Sequence, residues 1–164
     1  MKAETQHDRF KALDQCHQHI HEHLEQLAEL LLRLESYSDS AHCRQKAKTI
    51  EAFFSETARD HHAEEERNVF PNLLLSDNAE LVQAVLTLKQ DHGWIEQNWL
   101  ELAPMLRAIA QGEDWVDIAE LTHNVEVFLS LCHDHIVLEE TLIYPEAKSR
   151  LAQEMAGRTA RMTQ

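Results

Sequence analysis

An eleven-residue pattern occurs twice in this chain and narrows the folds open to it. His61-His62-Ala63-Glu64-Glu65-Glu66-Arg67-Asn68-Val69-Phe70-Pro71 returns as His135-Ile136-Val137-Leu138-Glu139-Glu140-Thr141-Leu142-Ile143-Tyr144-Pro145. Both copies read His-x-x-x-Glu-Glu, three further residues, an aromatic and a proline. On a helix, residues i and i+4 share a face one turn apart, so each copy aims an imidazole and a carboxylate at one point. A nitrogen and an oxygen ligand supplied twice from two helices make the ligand pattern of a dinuclear metal site.

The copies belong to a larger repeat. Leu13-x-Gln15-x-His17-x-x-Ile20 matches Leu88-x-Gln90-x-His92-x-x-Ile95. His17 and His92 lie 75 positions apart, and His61 and His135 lie 74 apart. Nearly equal offsets mean that the first two helices and the last two are versions of one helix pair.

The rest of the composition agrees with long helices. Of 164 residues only three are glycine and three proline, so few positions interrupt a helix. The length suits one domain with a substantial core. The polar start, Met1 to Gln6, has no apolar run of signal-peptide type, and no stretch approaches the roughly 20 apolar residues that span a bilayer. The expectation is a soluble, cytoplasmic protein. A net charge of −14 argues against nucleic acid or an anionic membrane as partner. Cys16, Cys43 and Cys132 lack C-x-x-C spacing and make neither a disulfide framework nor a zinc knuckle.

Apolar periodicity predicts an all-α fold: an up-down-up-down antiparallel four-helix bundle (8–147) with a short C-terminal helical tail (148–164). Helix 1, from about Asp8 to Ser36, carries Leu13, His17, Ile20, Leu24, Leu27, Leu31 and Leu34 on one stripe. Helix 2, about Ala41 to Val69, carries Ile50, Phe54, Ala58, His61 and Glu65, and Pro71 is expected to end it. Helix 3, about Ala79 to Ala110, follows Asp77-x-x-Glu80, which has the form of a capping box. Its stripe includes Leu81, Val85, Leu88, His92, Ile95, Trp99, Leu102, Leu106 and Ile109 and continues through Pro104, predicting a kink, not a break. Helix 4, about Trp115 to Tyr144, carries Leu121, Val125, Phe128, Cys132, His135, Glu139 and Leu142. Connections at Tyr37–Ser40, Pro71–Asn78 and Gln111–Asp114 are short, which favours antiparallel neighbours.

His17, His61, Glu65, His92, His135 and Glu139 occupy stripe positions that would otherwise be Leu or Ile. An unpaired buried polar group costs on the order of 2–7 kcal/mol, against a total stability of about 5–15 kcal/mol for a domain. Six such groups require compensation. A buried histidine–carboxylate hydrogen-bond network is one solution. Two dications are the better one, because they neutralise both carboxylates and use four imidazole lone pairs.

The register on helix 2 has an alternative, His62 with Glu66, also four apart; the repeat favours His61, ten residues before Pro71 as His135 is before Pro145. His7, His19, His23, His42, His62, His123 and His133 are expected in solvent. His21 and Glu96, one turn after His17 and His92, are candidate extra ligands or orienting partners beside a surface reading. Glu66 and Glu140 are expected as outer partners or solvent-facing charges. Cys132, beside the site on the same seam, is either a nearby reactive thiol or a small apolar filler.

These motifs resemble the hemerythrin-like proteins, the His-His-Glu cation-binding domains, over about residues 8 to 147. The resemblance rests on His17 with Ile20, His61-x-x-x-Glu65-Glu66 through Phe70-Pro71, His92 with Ile95, and His135-x-x-x-Glu139-Glu140 through Tyr144-Pro145. It implies two iron ions with a water-derived oxo or hydroxo bridge. His17, His61, His92 and His135 would be terminal ligands, and Glu65 and Glu139 bridges. Oxygen-carrying hemerythrins use five histidines, with His-x-x-x-His on the third helix and His-x-x-x-x-Asp on the fourth; here Glu96 follows His92 and Glu139 stands at i+4. The four-histidine, two-glutamate set is more similar to di-iron proteins associated with nitrosative stress and iron–sulfur repair, although their usual N-terminal cysteine-bearing segment is not in this sequence.

The ligand types suit iron, with zinc or manganese also compatible. The expected function is that of a non-haem di-iron protein that binds or reacts with O₂, NO or peroxide in sensing or in oxidative or nitrosative stress. Iron storage or delivery, and a zinc- or iron-stabilised interaction bundle, are the alternatives.

Overall fold

A computed structural model describes the backbone of residues 2–35 and 40–162, and side chains within 9–35 and 41–160. Among the described residues every regular element is helical. α1 spans Lys2–Glu35, α2 Ser40–Ala52 and α3 Ala58–Asn68, the last two joined by a π turn at Phe53–Thr57. A short α4, Phe70–Leu74, precedes the long α5, Ala79–Ala110. α6, Ile118–Leu138, continues through a second π turn, Glu139–Ile143, into α7, Tyr144–Met162. α1 packs on α2 and α6, and α5 packs on the same two, which closes a ring of four around the core. The expected connection at Tyr37–Ser40 falls largely on residues outside those described, as do residues 163–164 of the C-terminal tail.

The expected stripes form the core on α1, α2, α3 and α5, where all the named positions are buried except Leu34, which is half-buried. Pro104 leaves α5 a single helix. Five local expectations need correction. The cap of α5 is Asn78, whose side chain accepts from the amides of Glu80 and Leu81, so the Asp77 box does not form. The last run begins at Ile118, capped by Asp117, and leaves Trp115 exposed.

Pro71 does not simply end helix 2. It sits in the first turn of α4, after a local irregularity at Val69, where its missing N–H is no loss. Pro145 does not end the last run either, which extends to Met162. Inside a helix a proline lacks its N–H and clashes with the carbonyl four residues back. In the first copy the chain stops and restarts; in the second the wider π turn before Pro145 lets the helix continue. That turn adds a residue to the seam, so Ile143 is buried and Leu142 is on the exposed side. A strict 3.6-residue period cannot see this shift.

The core falls into two apolar parts. The larger includes Leu24, Leu27, Ile50, Phe54, Trp99, Leu102 and Phe128; the smaller includes Leu13, Phe70, Leu73, Leu88, Ile143 and Tyr144. A polar layer lies between them.

Candidate metal centre

That layer is made by the six stripe residues, and none of His17, His61, Glu65, His92, His135 and Glu139 is more than 7% exposed. They form two adjoining groups that share Glu65. His17, His61, Glu65 and Glu139 make one, and His62, Glu65, His92 and His135 make the other; within each, one potential ligand atom per residue lies within 4.8 Å of the others.

Both carboxylates face both groups. Glu65 Oε1 lies 3.3 Å from His61 Nε2 and 3.6 Å from His92 Nε2. Glu139 Oε2 lies 2.8 Å from His17 Nε2, while Oε1 meets His135 Nε2 and lies 3.8 Å from His92 Nε2. Two details show that protein groups alone do not satisfy this layer. Glu65 Oε1 and Glu139 Oε1 are buried and accept no well-formed hydrogen bond. His92 Nε2 and His135 Nε2 face one another at 3.0 Å, so only one of the two nitrogens can donate. Lone pairs converging on a common point, with anionic oxygens between them, are what a pair of cations would satisfy. The residues present fit such a pair.

The second glutamate of each motif reaches across the repeat. Glu66 Oε1 approaches His92 Nδ1 at 3.3 Å, and Glu140 Oε1 approaches His17 Nδ1 at the same distance. Glu66 hydrogen-bonds the His92 imidazole from the other helix pair, the usual work of an outer carboxylate on a histidine ligand, whereas Glu140 lies beside His17 Nδ1 without a well-formed hydrogen bond to it. Glu140 also pairs with His21 at 3.1 Å, which places His21 outside both groups. Glu96 is outside them too, paired with Arg59. Cys132 lines a cavity beside the centre without joining either group, and burial pushes its thiol pKa up, so it stays a neutral thiol.

His62 departs from the sequence expectation of a solvated side chain. It is half-buried and stacks on His92 with ring centroids 4.1 Å apart. Burial, with repulsion from His92, His135 and His61, holds its pKa well below 6.5, so its nitrogens are neutral. His23 is also half-buried, stacked on Phe53. His19, His123 and His133 are exposed as expected, and His7 lies outside the residues with described side chains.

The sequence reading missed the hydroxyl of Tyr144. It donates to Glu65 Oε2 at 3.0 Å and lies 3.2 Å from His17 Nε2 and 3.4 Å from His61 Nε2. Its ring stacks on His17. The matching residue of the first copy is Phe70, which stacks on His92 and brings no polar atom. Buried beside Glu65 and Glu139, the phenol is pushed far up in pKa and stays protonated. The signal was present in the sequence as the difference between the two copies at the aromatic position.

Charge in the layer is balanced by protons when no cation is bound. Burial opposes a charge on His61, yet Cys16 and Glu65 beside it outweigh burial and raise its pKa to about 10. His92 is likewise raised to about 9 against burial, by Glu139 and Glu65. Burial would raise Glu139, but its polar neighbours Glu65, His135, His17 and His92 hold it well below the usual carboxylate range.

A duplicated His/Glu layer that crosses the core of a helical bundle defines the class: a helical metal-binding domain with an internal, two-part centre. The family model described as the hemerythrin HHE cation binding domain matches residues 8–147, and the chain belongs to that family. An uncharacterised protein of Haemophilus influenzae is 27% identical over 138 residues, covering 84% of this chain and 78% of that protein. No solved structure matches the chain. Among the described residues no helix is long and apolar enough to cross a membrane.

Proposed function

We propose that this chain is a non-haem di-iron protein that binds or reacts with a small ligand such as O₂, NO or peroxide, in sensing or in the response to oxidative or nitrosative stress. The observation that supports it most is the pair of adjoining ligand groups sharing Glu65, with buried carboxylate oxygens between them that accept no well-formed hydrogen bond. His17, His61 and Glu139 would hold one iron with Glu65, and His92 and His135 the other, with both carboxylates between. His62 would add a third imidazole to the second position. Bound iron supplies changes of oxidation state and a coordination position for an incoming ligand.

The chain's own groups have separate parts in this reading. Glu66 orients His92, and Glu140 adds a negative charge beside His17. The Tyr144 hydroxyl keeps its proton and directs it at Glu65 Oε2, within reach of His17 and His61. The two apolar parts of the core exclude bulk water from both faces of the layer. The depth of the ligands weighs against a site that loads and releases iron easily. The same reading takes the four long helical runs as an up-down-up-down bundle, because the connections at 75–78 and 111–117 are too short to cross it.

The test is to load the protein anaerobically with ferrous iron, count the metal, and then expose it to oxygen or NO. Two irons per chain and new near-ultraviolet bands are expected. A single spectroscopically silent zinc held in preference to iron, or an unchanged spectrum, would refute the reading.

A further inference from the structure

Beside the centre lies a narrow cavity of about 30 Å³, room for about two water-sized molecules. One side is formed by centre residues, including His61, His62, His135 and Glu139. The rest is mainly apolar, with Ile20, Phe54, Ala58, Ile95, Trp99 and Phe128 all buried. Two lining residues are charged and open to solvent: Arg59 of α3 and Glu96 of α5, each 43% exposed at the side chain. They are locked together, Arg59 Nε donating to Glu96 Oε2 at 3.1 Å and Nη2 to Oε1 at 2.5 Å. Arg59 Nη1 also donates to the carbonyl of Ser55, in the first π turn. The Ser55 hydroxyl in turn accepts from Trp99 on the cavity wall.

We propose that the Arg59–Glu96 pair is the door of the centre's small-molecule cavity, and that the cavity admits uncharged molecules of diatomic size. This inference rests on the metal-centre reading above. The cavity reaches solvent where these two side chains meet, because the other wall residues are buried or, like His62, half-buried and turned to the centre. An ion pair at this exposure contributes little to stability, so it opens at small cost. Its two-point geometry still closes the passage between openings. The apolar wall offers a charged ligand nothing in return for its lost hydration. The first π turn shapes the door, since it sets both the Ser55 carbonyl that anchors Arg59 and the hydroxyl that holds Trp99.

The test compares the full chain with Arg59→Ala, Glu96→Ala and the charge swap Arg59→Glu/Glu96→Arg. In metal-free protein carrying Trp94→Phe and Trp115→Phe, acrylamide quenching of Trp99 reports the opening. In ferrous-loaded protein, stopped-flow mixing with NO and with azide reports entry. Each single variant should raise Trp99 quenching about twofold or more and NO association about fivefold or more. Iron content should stay unchanged, azide should remain slow relative to NO, and the swap should bring the rates back toward the original, though not fully, because a glutamate at 59 cannot donate to the Ser55 carbonyl. Unchanged quenching and NO rates in single variants with full iron content would overturn the proposal, as would azide entering as fast as NO. A chain that takes up no iron would sink the metal-centre reading instead, and the quenching measurement would still decide whether the pair is a door.

Discussion

On one side of the shared Glu65, His17 and His61 meet the hydroxyl of Tyr144; on the other, His92 and His135 meet a third imidazole, His62. The two sides are built from matching helix pairs, with matching histidines and matching outer glutamates. They part company at a few positions. Tyr144 stands where the first copy has Phe70, and His62 where the second has Ile136. Cys16 precedes His17 and stands beside His61, whereas Asp91 precedes His92 and stands 4.0 Å from His135. The repeated residues build the scaffold and place the donors. The unrepeated ones make the two positions chemically unequal, one with a phenolic proton beside it and one with an extra neutral imidazole.

Glu65 belongs to both sides, so the largest effect is expected there. Glu65→Ala should lose both metals, measured as metal per chain after loading and desalting; retention of either would show that one side stands alone. Changes on one side should be smaller and selective. His61→Ala should lose one metal and leave the other bound, while His19→Ala, an exposed residue, should leave metal content as it was.

Two substitutions erase the inequality between the sides. His62→Ile copies the second repeat onto the first, and should weaken the His92/His135 position about 10–100-fold in a cobalt titration followed by its visible bands. The first position should titrate as before. Tyr144→Phe copies the first repeat onto the second. It leaves a buried oxygen of Glu65 without its donor, and should cost ~1–3 kcal/mol in chemical denaturation of metal-free protein while metal content is kept.

The smallest effect concerns pH. In metal-free protein the raised pKa values of His61 and His92 contribute stability that is fully present below the ordinary value of 6.5. It is lost as pH rises through about 9 for His92 and about 10 for His61. The metal-free melting temperature should therefore fall between neutral pH and pH 10, and the loaded protein should not follow it. The same protons must leave when metal binds, so loading at neutral pH should release protons into a weakly buffered indicator.

The donors were legible because helical geometry is strict. A histidine and a glutamate four apart on a core stripe have few places to point, and the 74- and 75-residue offsets tied the four helices together. Backbone irregularity hid the rest. The π turn at Glu139–Ile143 moves the seam from Leu142 to Ile143, and the irregularity at Val69 sets Phe70 into the smaller core. One residue of rotation takes His62 about 100° from His61 and predicts a solvated side chain; the structure instead turns it onto His92. Glu96, a candidate ligand by spacing, is taken by Arg59, a pairing across 37 positions that no local pattern encodes.

Two irons in unequal surroundings would be resolved by Mössbauer spectroscopy of the iron-loaded protein. Two irons per chain and two quadrupole doublets of equal area are expected, one of which shifts in His62→Ile while the other stays. A single doublet from both irons, or one iron per chain, would contradict it.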